Sequence, residues 1–152
     1  MKRCHKIKGF TLLELIVVFA IIGVLVSIVF VSLDVSKQEG IDAGVKKNLS
    51  NAAPQAEVFY INQTRTYEGV CTDATLGILR HVQRAAEATG ATASINDNAD
   101  MATNVAVCHD SVDGWAAGAP LKGGGAWCID STKVATTTVI GALNNNGDIT
   151  CN

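Results

Sequence analysis

From Phe10 to Leu33 the chain is almost unbroken apolar sequence, with Glu14 as its one ionisable side chain. As a helix these residues rise roughly 36 Å, enough to cross a bilayer with some tilt. The helical pattern does not stop at Leu33. Ile41, Val45, Leu49, Ala52 or Ala53, Ala56 and Phe59 or Tyr60 recur at spacings of three and four. That is one apolar stripe. Lys37, Glu39, Lys46, Lys47 and Glu57 lie mostly off it. The two stretches predict a single helix from about Phe10 to about Thr64, apolar all round in its first half and amphipathic in its second. Gly23, Gly40, Gly44 and Pro54 fall inside it. Pro54 removes one backbone hydrogen bond and is expected to kink the helix.

Beyond Thr64 the pattern changes. Thr64 to Cys71 reads as a loop. Asp73 to Ala88 has helical spacing, with Thr72 or Asp73 as N-cap and Gly90 as the stop. Arg80, His81 and Arg84 make a small basic face there, expected to be solvated. Ala91 to Asp100 is small and polar and reads as a loop. Strand patterns follow at 104–109, 114–121, 126–130 and 134–143. Lys122-Gly123-Gly124-Gly125 forms a hairpin turn, and Asn146-Gly147 predicts a second hairpin before Asp148–Cys151. The fold class is therefore α+β: a long N-terminal helix packed on a small antiparallel sheet of three to five strands. Trp115 and Trp127 are expected to pair across the glycine hairpin.

Charge refines the membrane reading. Lys2, Arg3, Lys6 and Lys8 all precede Phe10, which places the N-terminus on the cytoplasmic side. Without residues 1–9 the chain keeps eight basic and fourteen acidic side chains, a formal net of −6. An acidic remainder argues against general nucleic-acid binding, which needs a basic footprint. A cleavable signal peptide would have a shorter apolar core and a small-residue cut site after it. Here the core is longer and Gly9 stands before it. A plain single-span anchor accounts for neither Gly9 nor Glu14, since a carboxylate in a membrane segment is costly without a partner.

Of five cysteines, Cys4 lies in the basic leader, and Cys71, Cys108, Cys128 and Cys151 form an even set suited to two disulfides in an oxidising compartment. Three connectivities remain open, with Cys71–Cys108 and Cys128–Cys151 preferred. No spacing is that of a zinc or redox CxxC pair. His109-Asp110-Ser111 is no catalytic triad, because neighbours in a strand point to opposite faces. No glycine-rich phosphate loop opens a helix. The chain reads as a non-enzyme with no cofactor and no metal site. Asn96-Asp97-Asn98-Ala99-Asp100 and Asn144-Asn145-Asn146-Gly147-Asp148 are oxygen-rich, which leaves calcium as a minor alternative, but turn chemistry explains both.

Lys8-Gly9-Phe10-Thr11-Leu12-Leu13-Glu14 resembles the processing site of type IV pilins and type II secretion pseudopilins, over roughly the first 35 residues. The resemblance implies a prepilin leader over 1–9, a transmembrane and assembly half-helix over 10–33, an amphipathic half-helix over 34–64 and a globular head over 65–152. It implies cleavage between Gly9 and Phe10 by a membrane-embedded prepilin peptidase, followed by methylation of the Phe10 amine. Glu14 of one subunit would then meet the Phe10 amine of its neighbour and set the registry of assembly. Trp127-Cys128-Ile129-Asp130-Ser131-Thr132 also looks like a segment of pilin heads.

The implied partners are identical or related pilin subunits, the peptidase and methyltransferase, and a pilus assembly platform. The precursor would be held single-pass in the inner membrane, and the product would reach an extracellular pilus or a cell-envelope pseudopilus. A type IV pilus subunit is the first reading and a type II pseudopilin the second. The family's frequent proline in the second half of the apolar segment is missing between Phe10 and Leu33, which leans toward the pseudopilin. From a different class, the rival is a membrane-anchored binding ectodomain that never polymerises.

Overall fold

A computed structural model describes residues 9–96, 99–144 and 147–151. The basic leader, Asp97-Asn98 and Asn145-Asn146 lie outside the described residues. Contacts divide the chain into two compact units, Met1–Lys37 and Gln38–Asn152.

The first helix, α1, runs Leu12–Asn62 through Gly23, Gly40, Gly44 and Pro54. Within Met1–Lys37 its large apolar side chains stand exposed, Phe19 and Phe30 among them. This helix is long and apolar enough to cross a membrane. Past Lys37 the apolar stripe turns inward. Val45, Leu49, Ala52, Ala56 and Phe59 are buried in one core with the sheet residues Ala106, Cys108, Trp115, Ala117, Ala119 and Ile129. Leu49 has no exposed surface; truncating such a leucine to alanine costs about 2–5 kcal/mol.

A second helix, α2, spans Leu79–Thr89 and starts later than the spacing predicts. Asp73 explains the delay. Its Oδ1 accepts the Thr75 N–H at 2.7 Å, the Thr75 hydroxyl at 2.7 Å and the Leu76 N–H at 2.9 Å. A turn satisfied by its own side chain competes with the helix. These donors hold the Asp73 carboxyl down at about 2, below its usual range. The end falls as expected. Gly90 takes a left-handed φ of 74°, its N–H donates to Glu87 O, and the Ala91 N–H reaches back to Ala86 O. This double closure needs the backbone freedom of glycine.

Five strands follow: β1 (Thr92–Ile95), β2 (Val105–Asp110), β3 (Trp115–Pro120), β4 (Ala126–Asp130) and β5 (Ala135–Thr138), in the sheet order β1-β2-β3-β4-β5. Three pairs are antiparallel, but β1 lies parallel to β2 with Thr92 opposite Val105. The segment expected as a loop thus holds a strand. Its small polar residues carry little strand preference, and pairing to the edge of β2 overrides that.

The central strands β2, β3 and β4 are buried on both faces. One face shares the α1 core; the other carries Val107, Ala116, Ala126 and Cys128 beneath Met101 and Leu143. Strand β5 ends well before the expected Leu143, because the chain leaves the ladder and returns to cover this second face with Leu143 fully buried. No strand forms over 148–151 either. The Cys151 N–H and the Asp148 carbonyl bond to side chains of Asp130 and His109 instead of to a ladder.

Trp115 and Trp127 do not pair. Trp127 stands opposite Ala119 and Trp115 opposite Asp110, so both lie on the α1 face with Ala117 and Ile129 between them. Lys46 Nζ lies 5.3 Å from the centre of the Trp127 ring.

Candidate processing and assembly site

The site begins where the helix begins. Gly9 and Phe10 are non-helical and exposed, with Phe10 77% exposed. No atom would touch a side chain placed on Gly9. The Gly9–Phe10 peptide bond is thus exposed and lies ahead of the helix.

Directly after it, Thr11 and Glu14 form a reciprocal cap. The Thr11 N–H donates to Glu14 Oε2 at 3.0 Å and the Thr11 hydroxyl does so at 2.9 Å. The Glu14 N–H donates back to Thr11 Oγ1 at 3.2 Å. This is a capping box, which satisfies helix-end donors that would otherwise be bare. The acidic side chain also suits the positive end of the helix dipole. Sequence reasoning assigned Glu14 a partner in a neighbouring subunit and overlooked Thr11. The T-x-x-E spacing before an apolar run was the signal available. One oxygen of the Glu14 carboxylate, Oε2, is therefore already occupied within its own chain.

Elsewhere the candidate residues are dispersed. Cys71 is bonded to Cys108 on the α1 face of the sheet, and Cys128 to Cys151 on the opposite face. In a chain-entropy account loops of this size stabilise by about 3–4 kcal/mol each. His109, Asp110 and Ser111 are not brought together. The His109 ring contacts Asp148 O at 3.2 Å through Nδ1, the Asp110 carboxylate faces the 69–71 loop, and the Ser111 hydroxyl donates to Gly114 O.

Arg80 and Arg84 are exposed on α2. His81 is partly buried, and that burial, with the charge of Arg84, pushes its imidazole below the ordinary value. Among the described residues no cluster of three or more His, Cys, Asp or Glu fits a metal ion. The two oxygen-rich runs are only partly described. Within them, Asn96 Oδ1 accepts the Asp110 N–H, and Asp148 Oδ1 accepts the Thr150 N–H and hydroxyl.

Gly9, the capped start and the apolar helix fall together in one stretch. Residues 4–30 match the family described as the prokaryotic N-terminal methylation motif. This prepilin-like motif is that of type IV pilins and pseudopilins, a structural class, and with it the α+β architecture is pilin-like. The motif implies a precursor processed by a prepilin peptidase and assembled with pilin subunits. Neither curated proteins nor solved structures gave a match to the chain.

Proposed function

We propose that this chain is a structural subunit of a type IV pilus-like filament. It is made as a membrane-held precursor with its N-terminus cytoplasmic. It is cut between Gly9 and Phe10, methylated at Phe10 and polymerised through its N-terminal helix. In this reading residues 1–9 are the leader, 10–33 the membrane and assembly half of the helix, 34–64 its amphipathic half and 65–152 the head. The observation that carries the proposal is the methylation motif over 4–30, together with an exposed Gly9–Phe10 bond ahead of a capped apolar helix.

Glu14 takes the registry role. Cleavage creates a positive amine on Phe10, and a carboxylate on a neighbouring helix offsets it in a low-dielectric bundle. The capping box defines what assembly must accommodate. Glu14 exchanges part of its contact with Thr11 for the neighbour's amine, or keeps one oxygen on each.

Mass spectrometry of the purified protein tests the processing step. A chain beginning at methylated Phe10 supports it, and one beginning at Met1 overturns it. Glu14→Ala is expected to be cut normally and to fail in assembly; normal filaments from that variant would refute the registry role.

The pseudopilin reading has one specific observation in its favour. Helix α1 runs through the second half of the apolar segment without a proline to break it. Fractionation of cells discriminates the two: sheared surface filaments support a pilus, and a product confined to the cell envelope supports a pseudopilus.

A further inference from the structure

Two disulfides in this chain share one local design. Each strand cysteine is followed two residues later by an aspartate, as Cys108-His109-Asp110 on β2 and Cys128-Ile129-Asp130 on β4. Side chains two apart on a strand share a face. Each aspartate therefore sits beside its cysteine, and each accepts the backbone N–H of that cysteine's disulfide partner. Asp110 Oδ2 takes the Cys71 N–H at 2.7 Å, and Asp130 Oδ2 takes the Cys151 N–H at 2.8 Å. The remaining oxygens fasten the adjoining loops. Asp110 Oδ1 accepts from Gly69 N at 3.1 Å. Asp130 Oδ1 accepts from the Thr132 N–H at 2.8 Å and the Thr132 hydroxyl at 2.6 Å. Asp130 is only 2% exposed, so an unmatched carboxylate there would be costly.

We propose that Asp110 and Asp130 select the disulfide partners. Each aspartate docks one incoming cysteine by its amide and so delivers that sulfur to the strand cysteine two residues back. Charge-assisted bonds of this kind are among the stronger ones available to a chain. The docking precedes oxidation and needs no sulfur–sulfur bond. The covalent step is thiol–disulfide exchange with a low-molecular-weight disulfide as oxidant. One protein thiolate attacks the oxidant and expels a thiol. The docked partner's thiolate then attacks the mixed disulfide at the protein sulfur and expels a second thiol. Two protein thiols are oxidised to one disulfide, and one oxidant disulfide is reduced to two thiols. Of the three pairings four cysteines allow, only the one that matches each aspartate's amide partner has both sulfurs in place.

The test is oxidative refolding of the full chain, reduced and denatured, in detergent micelles with oxidised and reduced glutathione. Disulfides are mapped by proteolysis and mass spectrometry. Asp130→Asn is expected to lower the Cys128–Cys151 yield roughly tenfold while leaving Cys71–Cys108, and Asp110→Asn to do the reverse. Native pairing at full yield in both variants overturns the proposal. A second measurement does not depend on those variants folding. In a Cys128→Ser, Cys151→Ser double variant, the amide of residue 151 should stay protected from hydrogen exchange, because Asp130 still holds it. Exchange there at the rate of an open loop, with the rest of the sheet protected, overturns the docking step.

Discussion

Asp42 and Gly123 stand 81 residues apart in sequence and are joined by a 3.0 Å hydrogen bond, the Gly123 N–H donating to Asp42 Oδ2. The other oxygen of the same carboxylate accepts the Lys122 N–H at 2.6 Å. One side chain on α1 thereby ties down the hairpin between β3 and β4. Gly124 and Gly125 take positive φ in that turn, which frees the two amides before them to face the helix. Asp42→Ala should destabilise the fold by about 1–2 kcal/mol, a charged-acceptor loss reduced by partial exposure. Chemical denaturation reads the loss. Amide exchange should rise at Lys122 and Gly123 first, and a uniform rise across the sheet would contradict the assignment.

Thr11→Ala removes both arms of the capping box that pass through the Thr11 hydroxyl. The expected cost is about 1 kcal/mol, confined to the first helical turn. Hydrogen exchange in micelles should show faster amides at residues 11–14 and no change beyond Lys37. Thr11→Ser should restore the wild-type pattern, because serine keeps the hydroxyl.

Gly77 has no room for a side chain. A Cβ there would fall on the carbonyl oxygen of Val70 and lie 2.6 Å from that of Asp73. Both are backbone atoms held by the 70–78 turn, where the Ile78 N–H donates to Val70 O at 2.8 Å. Gly77→Ala should cost at the upper end of the roughly 1–3 kcal/mol seen for overpacking. A lowered melting temperature checks this. Gly124→Ala, where open space surrounds the Cβ, should be milder despite its φ of +103°.

Tyr67 donates its hydroxyl to Glu57 Oε1 at 3.1 Å and stacks on Tyr60 with ring centres 4.6 Å apart. Burial first, then the Glu57 carboxylate, pushes the phenol up to about 12 from 10.0. The folded state therefore holds this proton more tightly than the unfolded chain does. Its contribution is complete below pH 10 and is lost as pH rises through 12. Ultraviolet phenolate titration should show this late step, and Tyr67→Phe should abolish it and flatten the alkaline limb of the stability curve. A phenol count complete well below pH 12 in the wild-type chain would contradict the assignment.

Much of this protein was legible in its sequence. The apolar run and its stripe depend only on which residues recur at helical spacing, so α1 ends within two residues of expectation at each end. Gly90 and the Lys122–Gly125 hairpin are equally local, because only backbone freedom is at issue there. The T-x-x-E cap at Thr11 and Glu14 was local as well and was available to be read.

Other features belonged to the tertiary structure alone. Strand β1 exists because β2 offers an edge, and nothing in Thr92–Ile95 announces it. The tail after β5 leaves the ladder because burying Leu143 and giving the Cys151 amide to Asp130 satisfies more than continued pairing would. The two C-x-D spacings stood in the sequence, but their meaning required knowing which loop arrives at each carboxylate. Local periodicity and backbone limits act within a few residues, so sequence determined the membrane-length helix and the motif at its start. Partner choice between distant segments turns on which donors, acceptors and apolar surfaces remain unmatched once the chain is compact, and only the folded arrangement of residues 38–152 decided that.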